Sequence, residues 1–532
     1  MMAVQLYDTT LRDGAQQEGI SFSVEDKLKI AQRLDELGID FIEGGWPGSN
    51  PKDTEFFARA EDLKLNHAIL VAFGSTRRSN CKAEEDDNLQ ALLEAKTEIV
   101  TIVGKAWDKQ VTRVLETSLE ENLNMIKDSI TYLKLKGLRV FFDAEHFFDG
   151  YSRNPEYALK VVTTAAEAGA ECVVLCDTNG GSLPQQIVKA IEDVRKLSSV
   201  SLGIHAHNDA ELAVANSLAA VQAGVIQIQG TINSYGERCG NANLCSIIPT
   251  LKLKMGVDCI TEEQLHKLTE LSRYVSELAN LPHYARLPYV GADAFTHKGG
   301  AHVSGLIKWE DSYQHINPKS VGNRSHVVIS ELAGKGSIVY KAKEHSLPVP
   351  KGREAEKILK QIKSLEKQGF QYDSAEASFD LLLHRAQPEY KPPFELVDFM
   401  VVVEKHRRPP SSGDQDEALA EASVKVKVDD RVVHTAAEGN GPVNALDEAL
   451  RKALIQFYPH LTAVTLTDYK VRILEETAGT ASRVRVLIES SDGKEHWRTV
   501  GSSTNIIEAS WLAVSDSIEY WLIKQAEGQK TD

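Results

Sequence analysis

His205-Ala206-His207 closes an apolar, β-branched run, SLGIHAH (201–207). In a strand, residues i and i+2 share a face, so both imidazoles project side by side. Two neutral imidazoles, a carboxylate at Asp13 and an amide oxygen at Asn241 make a mixed nitrogen and oxygen set for a divalent cation. A six-coordinate site of that kind suits Mn²⁺ or Mg²⁺, with Zn²⁺ and Co²⁺ as alternatives, and leaves positions open for a bidentate 2-oxo acid. The plainer reading of a histidine pair on a strand is two hydrogen-bonded core imidazoles. The company these residues keep argues against it: Asp8, Arg12-Asp13, Glu43, Asp143, Glu145, Asp177-Thr178, Glu237-Arg238 and Asn241 also follow or end apolar runs. Charges gathered at strand ends cost folding energy by burial, and a binding purpose explains them economically. Asn208-Asp209 offer further oxygen ligands but stand where a helix N-cap belongs. Cys239 has no second cysteine at ligand spacing and reads as structural, while Glu43 and Asp8 read as groups that orient Arg12 and the histidines.

Gathering these groups on one rim requires a particular chain path. Apolar runs recur as AVQLYD (3–8), DFIEGG (40–45), ILVAFG (69–74), EIVTIVG (98–104), RVFFDAE (139–145), ECVVLCD (171–177), SLGIHAH (201–207) and IQIQGT (226–231). Between them the periodicity is helical. In SVEDKLKIAQRLDELG (23–38), Val24, Leu28, Ala31, Leu34 and Leu37 make one apolar face and Gly38 ends the helix. NPEYALKVVTTAAEAG (154–169) opens with Asn154 as cap and Pro155 in the first turn, and closes at Gly169. DAELAVANSLAAVQAG (209–224) reads the same way, capped by Asp209 and closed by Gly224. Strands alternating with helices demand parallel pairing and right-handed crossovers. Eight such units in about 250 residues close a (β/α)8 TIM barrel, whose chemistry belongs at the C-terminal ends of the strands.

At 532 residues the chain is too long for one core. A catalytic barrel over 1–280 is therefore expected to be followed by helical linker subdomains over 281–390 and an α+β domain over 391–532. In the last region VKVKVDDRVVHTAAEGNGPVNALDEALRKAL (424–454) aligns by pattern with VRVLIESSDGKEHWRTVGSSTNIIEASWLAV (484–514). Each copy is a hairpin, a glycine-containing turn (Gly439, Gly501) and an amphipathic helix, which makes a two-fold pseudo-repeat. HRRPPSSGDQDEALA (406–420) reads as a polar loop within it. A net charge of −16 argues against nucleic-acid binding. No apolar run reaches the ~18 residues of a membrane span, and strand-like sequence from Val4 leaves no room for a leader, so a cytoplasmic location is expected. Six cysteines without a CxxC pair fit a reduced compartment, and Cys172 and Cys176, four apart on one strand, read as buried core thiols.

DTTLRDGAQQ (8–17), HAHND (205–209), GERCGNAN (236–243) and FTHKGGAH (295–302) together resemble the family of 2-isopropylmalate, homocitrate and citramalate synthases, part of the wider metal-dependent acyltransferase and lyase barrels. The resemblance covers essentially the whole chain. DTTLRDGAQQEGISFSVEDKLKIA and EGGWPGSNPKD look most like the citramalate synthase branch. Ala15-Gln16-Gln17 departs from the acidic residue and Gln-Ser usual in the isopropylmalate branch. The resemblance implies metal ligands at Asp13, His205, His207 and Asn241, and an arginine, Arg12, that holds the keto oxygen and stabilises the alkoxide forming there. It implies that Thr178 bonds the oxo-acid carboxylate and that Glu145 is a catalytic glutamate. His302 in FTHKGGAH and Tyr313 in YQHINP match a histidine and a tyrosine that act from the neighbouring protomer; their plainer readings are a loop-packing histidine and a linker aromatic.

The activity so implied is that of an acyltransferase condensing acetyl-CoA with pyruvate and hydrolysing the thioester, giving citramalate and CoA for isoleucine biosynthesis. A homodimer is implied too, with isoleucine as effector at a regulatory C-terminal domain, against the alternative of a purely structural dimerisation domain. The CoA phosphates are expected to meet basic groups, with Arg77-Arg78, Lys105 and Lys298 as candidates, each of which also reads as solvated surface charge. Three competing readings stand beside this one: another acceptor (2-oxoisovalerate for leucine biosynthesis, or 2-oxoglutarate), a lyase running the reverse cleavage, and a non-catalytic effector sensor with a vestigial barrel.

Overall fold

The computed structural model describes residues 4–328, 335–344, 353–404, 419–474 and 482–528. Eight parallel strands, β1 (Gln5–Asp8), β2 (Phe41–Gly45), β3 (Ile69–Ser75), β4 (Ile99–Lys105), β5 (Arg139–Glu145), β6 (Cys172–Asp177), β7 (Ser201–Ala206) and β8 (Gln227–Gly230), close a barrel in sequence order. Closure comes from β1 on β8, with Gln5 opposite Gln227 and Asp8 opposite Gly230. Each strand is the apolar run expected of it, buried on both faces as a parallel barrel requires. Tyr7, Phe41, Val71, Ile99, Phe141, Cys172, Val174 and Cys176 fill the interior, so the two cysteines are the buried thiols expected. The filled floor leaves the rim above the C-terminal strand ends as the place for chemistry.

The helices between strands are set by their ends. Ser23 caps Val24–Leu37: its side chain accepts from the Asp26 amide, the Asp26 carboxylate accepts from the Ser23 amide, and Gly38 ends the helix at φ 92°. Pro155–Ala168 runs from Asn154 to Gly169 (φ 96°) as its sequence dictates. The helix before β8 differs from expectation. It spans Ala213–Gln222, not 209–224. The Asp209 carboxylate is taken by the Arg238 guanidinium at 2.7 and 2.9 Å, and Asn208 accepts the Ala213 amide at 3.2 Å instead. A charged partner from 29 residues away outweighs the local cap.

The chain divides into two compact units, Met1–Phe295 with His315–Ser325, and Thr296–Gln314 with His326–Asp532. In the second unit two short parallel strands, β9 (Thr296–His297) and β10 (His326–Val327), accompany the helices Gly300–Lys308, Lys335–Glu344, Arg353–Lys367 and Glu376–Arg385. Two antiparallel sheets follow. One is β11 (Glu395–Glu404), β12 (Leu419–Val428) and β13 (Arg431–Gly439) with the helix Pro442–Leu454; the other is β14 (Thr465–Ile473), β15 (Val484–Ser491) and β16 (His496–Ser503) with the helix Ile506–Gly528. The repeat is thus real, and each copy carries one strand more than the hairpin read from sequence. The extra strands match in detail: both shift register at the same point, Leu396/Asp398 and Leu466/Asp468. Within β12, Ala420, Ala422, Val424, Val426 and Val428 alternate inward onto Leu446, Leu450 and Leu454 of the helix. Of the loop read at 406–420, residues 406–418 lie outside the described residues and 419–420 begin β12. Among the described residues no helix is long and apolar enough to cross a membrane.

Candidate metal and active site

β7 delivers His205 to the rim, and His207 lies just beyond its end in an isolated antiparallel bridge with Asn241. The two rings stand 5.3 Å apart between centroids, and His205 Nε2 is 3.4 Å from Asp13 Oδ2. One ligand atom from each of Asp13, His205 and His207 falls within 4.8 Å of the others, and all three residues are buried. The same corner holds buried polar atoms without partners: among the described residues, His207 Nδ1 and Asn241 Oδ1 make no hydrogen bond. Leaving such atoms unpaired is costly, and lone pairs of nitrogen and oxygen beside a carboxylate are what a divalent cation takes up. The donor set fits such a cation. Burial, reinforced by neighbouring His205, brings the His207 pKa down to about 4, so the ring is neutral near pH 7 with one nitrogen lone pair available. Burial works against the Asp13 charge, but Arg12 first and then the two histidines hold its pKa below the ordinary carboxylate value.

Arg12 is fixed from three sides. Its Nε donates to Glu43 Oε1. Its two terminal nitrogens donate to Asp13 at 2.8 and 3.1 Å, and its guanidinium carbon lies 3.8 Å from the centre of the Phe73 ring. Burial opposes its charge, yet Asp13 and Glu43 hold it firmly protonated. Glu43 in turn accepts from the Tyr7 hydroxyl at 2.7 Å, so it orients Arg12 as expected. Asp8 does not: its carboxylate accepts the Thr10 amide (2.9 Å) and hydroxyl (2.8 Å), which folds the β1 exit.

Burial lifts the Asp8 pKa to about 7 against those two hydrogen bonds. Folded Asp8 therefore keeps a proton that the unfolded chain gives up above pH ~4. The stability it contributes is full below that pH and is lost as pH rises through about 7. Asp8→Asn removes the ionisation while keeping an acceptor for the Thr10 amide. Its melting temperature relative to wild type is expected to rise between pH 5 and pH 8, the difference in stability growing by at most about 1.4 kcal/mol per pH unit. A difference that stays constant with pH, measured by calorimetry, contradicts this.

Glu145 ends β5 beside Lys105 of β4, and the two form an ion pair. Thr178 follows β6; its hydroxyl oxygen accepts the His146 amide at 2.8 Å, which leaves its own O–H to donate. His302 and Tyr313 lie in the second unit, where their rings stack 4.2 Å apart at 18°, with Tyr313 47% exposed. The structure thus brings Arg12, Asp13, His205, His207 and Asn241 together, joins Glu145 and Thr178 through His146, and pairs His302 with Tyr313.

Of the basic groups considered for CoA phosphates, Arg78 is exposed and the other three are paired with carboxylates. Arg77 is only 5% exposed and pairs with Glu121 and Asp128, Lys105 pairs with Glu145, and Lys298 pairs with Asp373. Cys239, read as structural, is exposed. Sequence reasoning missed Phe73 beneath Arg12, Tyr7 on Glu43, and Gln229, which bonds His205. For Gln229 a signal existed: a polar residue inside the apolar run IQIQGT is buried, and most buried amides are hydrogen-bonded.

Residues 3–275 match the HMGL-like family, 289–369 the homocitrate synthase post-HMGL domain-like family, and 373–522 the LeuA allosteric (dimerisation) domain. The chain is 53% identical to the (R)-citramalate synthase of Geobacter sulfurreducens over 99% of both chains. It is 53% identical to that of Aquifex aeolicus over 98% of both. It is 31% identical to the 2-isopropylmalate synthase of Methanocaldococcus jannaschii, over 98% of this chain and 95% of that one.

Proposed function

The chain belongs to the HMGL-like family, among relatives named (R)-citramalate synthase, and from that membership we propose that it is an acyltransferase joining acetyl-CoA to pyruvate and hydrolysing the thioester to citramalate and CoA. The observation that carries the chemistry is the rim itself: two imidazoles and a carboxylate within reach of one cation, beside a buried guanidinium. Asp13, His205, His207 and Asn241 would hold a divalent cation, Mn²⁺ or Mg²⁺ before Zn²⁺ or Co²⁺, which when bound polarises a keto oxygen as a Lewis acid. Of the five N–H groups of Arg12, three hold Glu43 and Asp13; one of those left over donates to the keto oxygen, where negative charge builds as the new bond forms. Thr178 donates its hydroxyl hydrogen to the pyruvate carboxylate. Two groups are suited to take the acetyl methyl proton: Glu145, charged against Lys105, and His302, stacked on Tyr313, whose hydroxyl orients or relays. The enolate carbon attacks the keto carbon, and water then cleaves the thioester.

In the same proposal the catalytic barrel occupies 1–280, linker subdomains 281–390 and a regulatory domain 391–532. Two chains form a homodimer through the last of these, His302 and Tyr313 serve the neighbouring protomer, isoleucine is the effector, and the enzyme works in the cytoplasm. The LeuA dimerisation match over 373–522 and the paired sheets support that arrangement.

CoA release, followed with a thiol reagent, tests the substrate. Pyruvate is expected to exceed 2-oxoisovalerate and 2-oxoglutarate in kcat/KM by about 10- to 200-fold, the range a small apolar pocket can discriminate. Preference for 2-oxoisovalerate ends the reading, and effector binding without any CoA release favours the sensor.

A further inference from the structure

Below the rim β7 and β8 lie in register, His205 opposite Gln229. His205 Nδ1 and Gln229 Oε1 are 2.8 Å apart, and Gln229 Nε2 donates to Asp143 Oδ1 of β5 at 3.1 Å. All three residues are buried. An amide has one donating end and one accepting end. With its donating end on the Asp143 carboxyl, Gln229 presents only oxygen to His205, and that oxygen can only accept. The ring hydrogen is thereby kept on Nδ1, and Nε2, facing Asp13, keeps its lone pair. Turned the other way, the amide would donate to Nδ1, move the ring hydrogen to Nε2 and close that nitrogen to a cation.

We infer that Gln229 is a positioning residue for the candidate metal site. It fixes the tautomer and ring orientation of His205, and Asp143 fixes which end of the amide His205 meets. Carboxyl, amide and imidazole in series make His205 a ligand. This inference rests on the metal reading proposed above.

The test is Mn²⁺ affinity of the full chain, read from the paramagnetic resonance signal of free Mn²⁺ during titration, with thermal melts of the metal-free protein alongside. Gln229→Met keeps the volume but neither accepts nor donates. It is expected to weaken Mn²⁺ binding by about 10- to 100-fold while the metal-free melt stays near wild type. The exchange Gln229→Glu with Asp143→Asn keeps an acceptor toward His205 and a donor toward that acceptor, and is expected to bind within about threefold of wild type. A residue that only packs the barrel would shift melts without this pattern. Wild-type affinity in Gln229→Met, or an exchange variant as weak as Gln229→Met, overturns the inference. Should Gln229→Met fail to fold, Asp143→Leu takes its place, since it frees the amide without touching His205; a loss of about tenfold supports the inference and none overturns it. A wild-type chain that takes up no Mn²⁺ overturns the metal reading itself, and the inference with it.

Discussion

Arg12→Gln is expected to lower kcat by about 100- to 1,000-fold, with a smaller change in KM for pyruvate and with metal content retained. The guanidinium is in place before any substrate arrives: Glu43 holds Nε, Asp13 holds both terminal nitrogens, and Phe73 lies against its face. On the proposed reading a remaining N–H group therefore meets developing charge without reorganisation, and an interaction that strengthens toward the transition state appears in kcat more than in KM. Glutamine is shorter and neutral, and it leaves two buried carboxylates without their counter-charge. A stability loss, up to about 3–5 kcal/mol, is expected alongside and is separable by thermal melting. Arg12→Lys restores charge without the fork that grips Asp13, so it should recover stability better than rate. Steady-state kinetics with metal analysis of each variant decides the matter. A kcat within tenfold of wild type, at full metal content, would remove Arg12 from stabilising the alkoxide.

Much of this site is legible in the residues because its physics is local. Strands buried on both faces are continuously apolar, so all eight stand out in the sequence, and the two-residue period alone places His205 and His207 on one side. What stays hidden depends on long-range partners. Asp209 has the sequence signature of a cap, and it fails as one only because Arg238 claims its carboxylate. Strands β11 and β14 escape a pattern reading because a register shift breaks their alternation at Leu396/Asp398 and Leu466/Asp468. Lys105 reads as surface charge, and only the register of β4 on β5 sets it against Glu145. The stacking of His302 on Tyr313 follows from the fold of one short segment, and no spacing rule predicts it.

His207→Ala is expected to abolish metal retention and turnover together while leaving the metal-free fold intact. The imidazole is buried and neutral, and its Nδ1 has no hydrogen-bond partner to strand when the ring is removed. Folding should therefore lose only packing, about 1–3 kcal/mol. On the proposed reading the cation loses one of its own ligands, a loss that should exceed the about 10- to 100-fold that outlying partners of a metal site cost. Turnover falls with it: several kcal/mol of Lewis-acid stabilisation, at about 1.4 kcal/mol per decade, is a loss of roughly 1,000-fold or more. His67→Ala, at a half-exposed ring beside Asp40 on the opposite end of the strands, is the matched control and should keep its metal. Metal content by mass spectrometry, kcat and the metal-free melt are read for each. If His207→Ala keeps stoichiometric metal, the cation does not sit between Asp13 and the two histidines. If the metal-free melt collapses instead, the ring is a core residue, and the plain reading of a histidine pair on a strand is the right one.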